Sequence, residues 1–127
     1  VLGDFGPFPP GSDTVRETLR AVDASLVVGG GVHRYLEDDY YGGGLWIVLG
    51  GALALALADR DPRRSARVLA WIEAQADASG HLPEQVATRL RVPEGHAAWV
   101  ERWGPPAQPL LWSHAMYLLA VAAQRLR

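Results

Sequence analysis

The sequence has no cysteine, which excludes a disulfide framework and thiolate chemistry. It also lacks a charge bias. Twelve Lys and Arg stand against 14 Asp and Glu, a net charge of −2 without any clustered basic stripe. That argues against nucleic acid or an anionic membrane as the main partner. The four histidines, His33, His81, His96 and His114, fall in no HExxH or paired-ligand spacing, so neither a metal nor a cofactor is expected. No apolar run reaches the roughly 20 residues of a membrane span. No secretory signal is visible and the chain does not begin with Met, which leaves the compartment open with the cytoplasm as the expectation.

What is present is helical periodicity. With 127 residues, nearly half of them apolar, the chain is one domain or part of one. Residues 1–11 are rich in Gly, Pro and Phe and read as a connector from something upstream. A first helix is expected over 14–28, with Thr14 and Glu17 as a capping box. Its apolar stripe is Val15, Leu19, Val22 and Leu26, and Gly29-Gly30-Gly31 stops it. A second helix over 45–58 has no polar face and must be buried. A third over 62–78 starts from Asp61 and Pro62, with Ala66, Leu69, Ile72 and Ala76 inward and Arg63, Arg64, Arg67, Glu73 and Asp77 outward. A short helix near Pro93–Arg102 interrupts a long irregular segment, and a last helix over 113–125 opens at Ser113. No sheet is expected.

The order is amphipathic, apolar, amphipathic, apolar, which predicts two helical hairpins with alternating outer and inner helices. The second and fourth helices should be the more buried pair. The short link at Asp59–Pro62 lies at one end, so the loops 29–44 and 79–111 share the other. Arg34, Asp38, Trp46 and Glu84 then meet at one rim, with Trp112 beside them. Trp71 and Trp99 read as packing residues. A long loop inside a compact domain is usually functional, and Trp, Tyr, Arg and carboxylates together suit a sugar. Local sequence alone also allows Pro83-Glu84 to be an ordinary helix start.

Four blocks then carry a resemblance. They are Arg34-Tyr35-Leu36-Glu37-Asp38-Asp39-Tyr40, Gly42-Gly43-Gly44-Leu45-Trp46, Leu82-Pro83-Glu84-Gln85 and Pro109-Leu110-Leu111-Trp112-Ser113-His114-Ala115. In this order they resemble glycoside hydrolase family 15, which holds glucoamylases, glucodextranases and some bacterial trehalases. The resemblance implies an all-α fold, part of an (α/α)6 barrel, and an inverting hydrolase acting on an α-glucoside or oligosaccharide. It implies that Glu84 is the general base and that Arg34, Asp38, Trp46, Gln85 and Trp112 bind or frame the sugar. Leu36 replaces a common Pro, and Leu45 replaces a commonly polar residue beside a distal subsite. Inversion needs two carboxyls about 6.5–9.5 Å apart, and the resemblance assigns the acid to an upstream part of the barrel. The whole chain, 1–127, therefore reads as the C-terminal segment of such a domain, expected to self-associate and to be inactive by itself. The competing readings are a helical carbohydrate-binding or interaction module and, more distantly, a cyclase using Glu37-Asp38-Asp39 on a diphosphate.

Overall fold

The computed structural model describes residues 7–9 and 11–125; most of the connector expected over 1–11 lies outside them. The chain is mostly helical, as expected of an all-α protein. Helices α1 (Asp13–Ser25), α2 (Ile47–Leu57), α3 (Pro62–Glu73), α4 (Pro93–Trp103) and α5 (Leu111–Arg125) are joined by loops. Four two-residue strands tie those loops together: β1 (Val27–Val28) with β2 (Gly31–Val32), and β3 (Leu45–Trp46) with β4 (Gln85–Val86).

The core is built around α2. Every residue of Ile47-Val48-Leu49-Gly50-Gly51-Ala52-Leu53-Ala54-Leu55-Ala56-Leu57 is small or apolar, and most are buried. Each large one that leaves water contributes roughly 1.5–3 kcal/mol. Helix α3 covers one side of α2, and α5 covers another. Gly51 permits the closest approach: a Cβ there would stand 2.9 Å from Met116 Cβ. On the outside, Arg64 of α3 forms a two-pronged ion pair with Asp23 of α1, one prong at 2.6 Å.

Several local expectations are corrected. The first helix ends at Ser25, and Val27-Val28 pair with Gly31-Val32. β-Branched valines favour the strand, and Gly29 and Gly30, at φ of 57° and 95°, supply the two-residue turn. Its cap is Ser12, whose hydroxyl accepts the Val15 N–H, so the Thr14–Glu17 box does not form. In α3 the inward residue is Ser65, not the exposed Ala66, because the Ser65 hydroxyl donates to the Ala54 carbonyl at 2.7 Å. That helix stops at Glu73, and Asp77 then accepts the N–H groups of Ser79 and His81. Ser113 does not cap the last helix. It lies inside α5 and donates to the Pro83 carbonyl at 2.7 Å.

The expected pair of most buried helices also changes. Helix α3 buries Ser65, Val68, Leu69 and Ile72, whereas α5 buries only Ser113, Met116 and Ala120. The latter form a narrow stripe against α2. Leu111, Trp112, Leu118 and Leu119 of α5 are exposed.

Candidate active site

The two long loops do meet at one end of α2. The first is pinned by its own acid. Asp38 is fully buried, and its carboxylate accepts two bonds from Arg34, at 2.7 and 3.1 Å, and one from the Tyr40 N–H at 3.2 Å. Burial works against the Arg34 charge, but Asp38 more than offsets it, and the guanidinium pKa is raised. The chain then turns sharply through Tyr40–Gly42. Tyr41 is buried there in a left-handed conformation, φ 50°, a strain of the kind that clusters at functional sites. At Gly43, φ 69°, a Cβ would collide with the Asp38 carbonyl at 2.0 Å. Glycine is thus required where the loop doubles back on the ion pair. Helix α4 covers this turn, with Trp99 packed on the rings of Tyr40 and Tyr41.

Strand pairing brings in the second loop. Trp46 lies opposite Gln85, and the Ile47 N–H donates to the Glu84 carbonyl at 3.1 Å. Gln85 is buried, with both ends of its amide engaged by backbone: Oε1 accepts the Gly44 N–H at 2.9 Å, and Nε2 donates to the Tyr40 carbonyl at 3.3 Å. Gln85 thus braces the two loops against each other. Opposite, α5 and the loop before it fix the approach to Glu84. His114 Nε2 accepts the Leu82 N–H at 3.0 Å, and the Glu84 N–H donates to Ala107. Pro83-Glu84 leads into β4 rather than into a helix.

The result is a cluster of Arg34, Tyr40, Trp46 and Glu84. The Arg34 guanidinium lies 4.7 Å from the Trp46 ring and 5.0 Å from the Tyr40 ring, and these two rings stack at 5.8 Å. Trp46 is 7% exposed, and its indole N–H has no hydrogen-bond acceptor among the described residues. The Tyr40 hydroxyl donates to Glu84 Oε2 at 3.3 Å. Burial pushes the Glu84 carboxyl above its ordinary value, and the Tyr40 bond and the Arg34 charge partly hold it down. A partly desolvated carboxyl beside an arginine and aromatic rings can accept a proton from water and hold a polyhydroxylated ligand.

Of the residues expected at the rim, Arg34, Asp38, Trp46, Gln85 and Glu84 are brought together. Trp112 is not part of the cluster: it is 64% exposed at the start of α5. Sequence reasoning overlooked Tyr40 as a partner of Glu84, and also buried His33, whose Nδ1 lies 3.0 Å from the Gly43 carbonyl. Burial and the charge of Arg91 lower the His33 pKa, so a neutral ring that braces the Gly43 turn is favoured. The acidic triplet does not form a metal cradle, since Asp38 is spent on Arg34. No group of three or more His, Cys, Asp or Glu among the described residues is placed to hold a metal ion. No helix there is long and apolar enough to cross a membrane.

No family model matches the chain. It is 51% identical over 116 residues to an isomaltose glucohydrolase of Kribbella flavida, an alignment covering 91% of this chain and 30% of that protein. It is 31% identical over 106 residues to an uncharacterized glycosyl hydrolase of Methanocaldococcus jannaschii, covering 72% of this chain and 15% of the other. Among solved structures, a wild-type glycosidase superposes with a TM-score of 0.93 at 48% identity, over 97% of this chain and 33% of that one. A Glu-to-Ala glycosidase variant in complex with glucose matches equally well. The chain thus spans about a third of the length of the glycosidases it resembles most among these.

Proposed function

We propose that this chain forms part of a glycoside hydrolase of the family 15 type, acting on an α-glucoside by inversion, with Glu84 as the general base. The observation that carries this reading is the Glu84 carboxyl, raised by burial and set beside Arg34, Tyr40 and Trp46 at the junction of two loops. A base whose pKa is shifted toward working pH is the better proton acceptor. Arg34 offers sugar hydroxyls its partly exposed guanidinium, with Asp38 behind it fixing the fork. The Trp46 ring backs the guanidinium at 4.7 Å. The isomaltose glucohydrolase relative supports an α-glucoside such as isomaltose. The second carboxyl that inversion requires belongs in this reading to a part of the enzyme outside these residues. That part would dock on the exposed Leu111, Trp112, Leu118 and Leu119, and the chain by itself would self-associate and not hydrolyse sugars.

The test is Glu84→Gln in the full-length enzyme. Turnover should drop by the roughly 10²–10⁴-fold of a lost general base, with substrate affinity little changed. Proton NMR of the first-released sugar should show the inverted anomer in the wild type. Wild-type turnover in the variant, or release of the retained anomer, would sink the reading.

A further inference from the structure

Trp71 reads from the sequence as a packing residue, and the structure gives its indole a particular seat. The ring leaves α3 and ends beneath β2, where two glycines make room for it. A Cβ on Gly31 would stand 2.6 Å from Trp71 Cζ2 and 2.8 Å from Leu45 Cδ1, both shorter than a real Cβ tolerates. A Cβ on Gly30 would stand 3.0 Å from Trp71 Cγ. The backbone can approach the ring this closely only as glycine. The far edge of the indole faces α2, with Cζ3 3.5 Å from a Cβ built on Gly50. Leu45 of β3 is 2% exposed. Its side chain therefore completes this seat, whereas the sequence placed it beside a distal sugar subsite.

The two strands that meet at this seat carry the two halves of the cation–aromatic pair. β2 ends at Val32, two residues before Arg34, and β3 ends in Trp46. Little slack lies between. The His33 N–H donates to the Leu26 carbonyl at 2.9 Å, and the His33 ring nitrogen Nδ1 lies 3.0 Å from the Gly43 carbonyl. Leu45 and Trp46 are held by their pairing with Val86 and Gln85. We propose that Trp71 is a positioning residue for sugar binding: its ring sets the separation of β2 and β3, and so holds the Arg34 guanidinium 4.7 Å from the Trp46 ring. This rests on Arg34 being a sugar ligand. A close-packed interior transmits strain, so a methyl added at Gly31 must push the indole back into α3 or lift β2. Gly31, unlike Gly30 at φ 95°, has no positive φ. Alanine there tests the contact and not the backbone.

The test combines arginine side-chain NMR with kinetics on the full-length enzyme. The Arg34 Nε–H resonance, identified by its loss in Arg34→Ala, feels the ring current of Trp46 and reports their separation. In Gly31→Ala it should shift. KM should rise roughly ten-fold, the low end of what a hydrogen bond to a charged group contributes. The kcat should stay nearly unchanged, as when binding shared by ground and transition states is lost. Adding Trp71→Phe to Gly31→Ala removes the ring atoms that the new methyl meets, and should restore part of both. A packing role alone would lower the Tm of Gly31→Ala and leave the resonance in place. If Gly31→Ala does not fold, Trp71→Phe by itself, which empties part of the seat, should move the same resonance. An unmoved resonance in either folded variant overturns the assignment. So does a moved one at wild-type KM when Arg34→Ala raises KM. Wild-type KM in Arg34→Ala itself overturns the sugar-binding reading of Arg34 instead.

Discussion

Trp46 and Trp112 carried the same expectation, and the molecule treats them in opposite ways. Trp46 is 7% exposed, wedged against Arg34 and Tyr40 where two loops are sewn together. Trp112 is 64% exposed, one turn from the same loop, on a helix face that no described element covers. Proximity to a sugar-type motif thus does not by itself place a tryptophan in the cluster. What places Trp46 there is the strand pair β3–β4, which holds its ring against Arg34 and Tyr40.

The contrast breaks most visibly on truncation. Trp46→Ala should destabilise the chain by about 3–5 kcal/mol, the cost of deleting a large buried aromatic. Trp112→Ala should stay within about 0.5 kcal/mol, as exposed positions do. Urea unfolding of the two variants measures both, and equal losses would erase the distinction. Asp38→Ala comes next. It strips the Arg34 guanidinium of its buried partner, a change that costs about 3–5 kcal/mol in fully buried pairs. Arg34 keeps 34% of its side chain in water, so the lower end of that range is expected.

Gly51→Ala probes the covered stripe of α5 rather than its open face. The new Cβ would stand 2.9 Å from Met116 Cβ and 3.0 Å from its carbonyl carbon. Overpacking of about 1–3 kcal/mol should exceed the roughly 1 kcal/mol that alanine gains over glycine in a helix. Thermal unfolding should therefore begin at lower temperature. A rise in Tm would mean that α5 slides freely on α2.

The smallest effect is the most diagnostic. The Glu84 pKa is raised in the fold above its ordinary 4.5. A raised carboxyl contributes stability that is present below the unfolded-state value and lost as pH climbs through the folded-state value. At neutral pH the ionised side chain is thus a burden. Glu84→Gln should be as stable as the wild type or slightly more so there, with the difference vanishing well below pH 4.5. Denaturation at the two pH values checks this. A variant weaker at neutral pH would show that the bonds to Glu84 outweigh its burial. Functional groups often carry such a stability cost.

How much was legible in advance depended on the range of the signal. The apolar run of α2 identified it as the buried centre, and the alternating helix order with its short Asp59–Pro62 link placed Arg34, Asp38, Trp46 and Glu84 at one end. Shorter-range features were missed where two codes overlap. Val27-Val28 continues a helical stripe as readily as it starts a strand, and only the Gly29-Gly30 turn separates the two. Ser65 and Ala66 differ by one position, and an acceptor in α2, the Ala54 carbonyl, decides which turns inward. Tyr40 could not be read at all, because its partner lies 44 residues away. The last helix was expected in the more buried pair, yet Leu118 and Leu119 are exposed, because composition shows what is apolar and not what covers it.

The brace made by Gln85 has a kinetic side. It joins Gly44 and Tyr40 to a residue 41 and 45 positions further along. Closing so long a loop from a disordered chain carries an entropic cost that grows with its length. Just over half of the residues between the joined segments, however, belong to the α2–α3 pair, whose contacts are local in sequence. Once that pair has zipped up, the two ends stand near each other and the remaining search is short. Local contacts form early and distant ones late, so the cluster around Glu84 should be among the last parts of the chain to order during folding and among the first to loosen on unfolding.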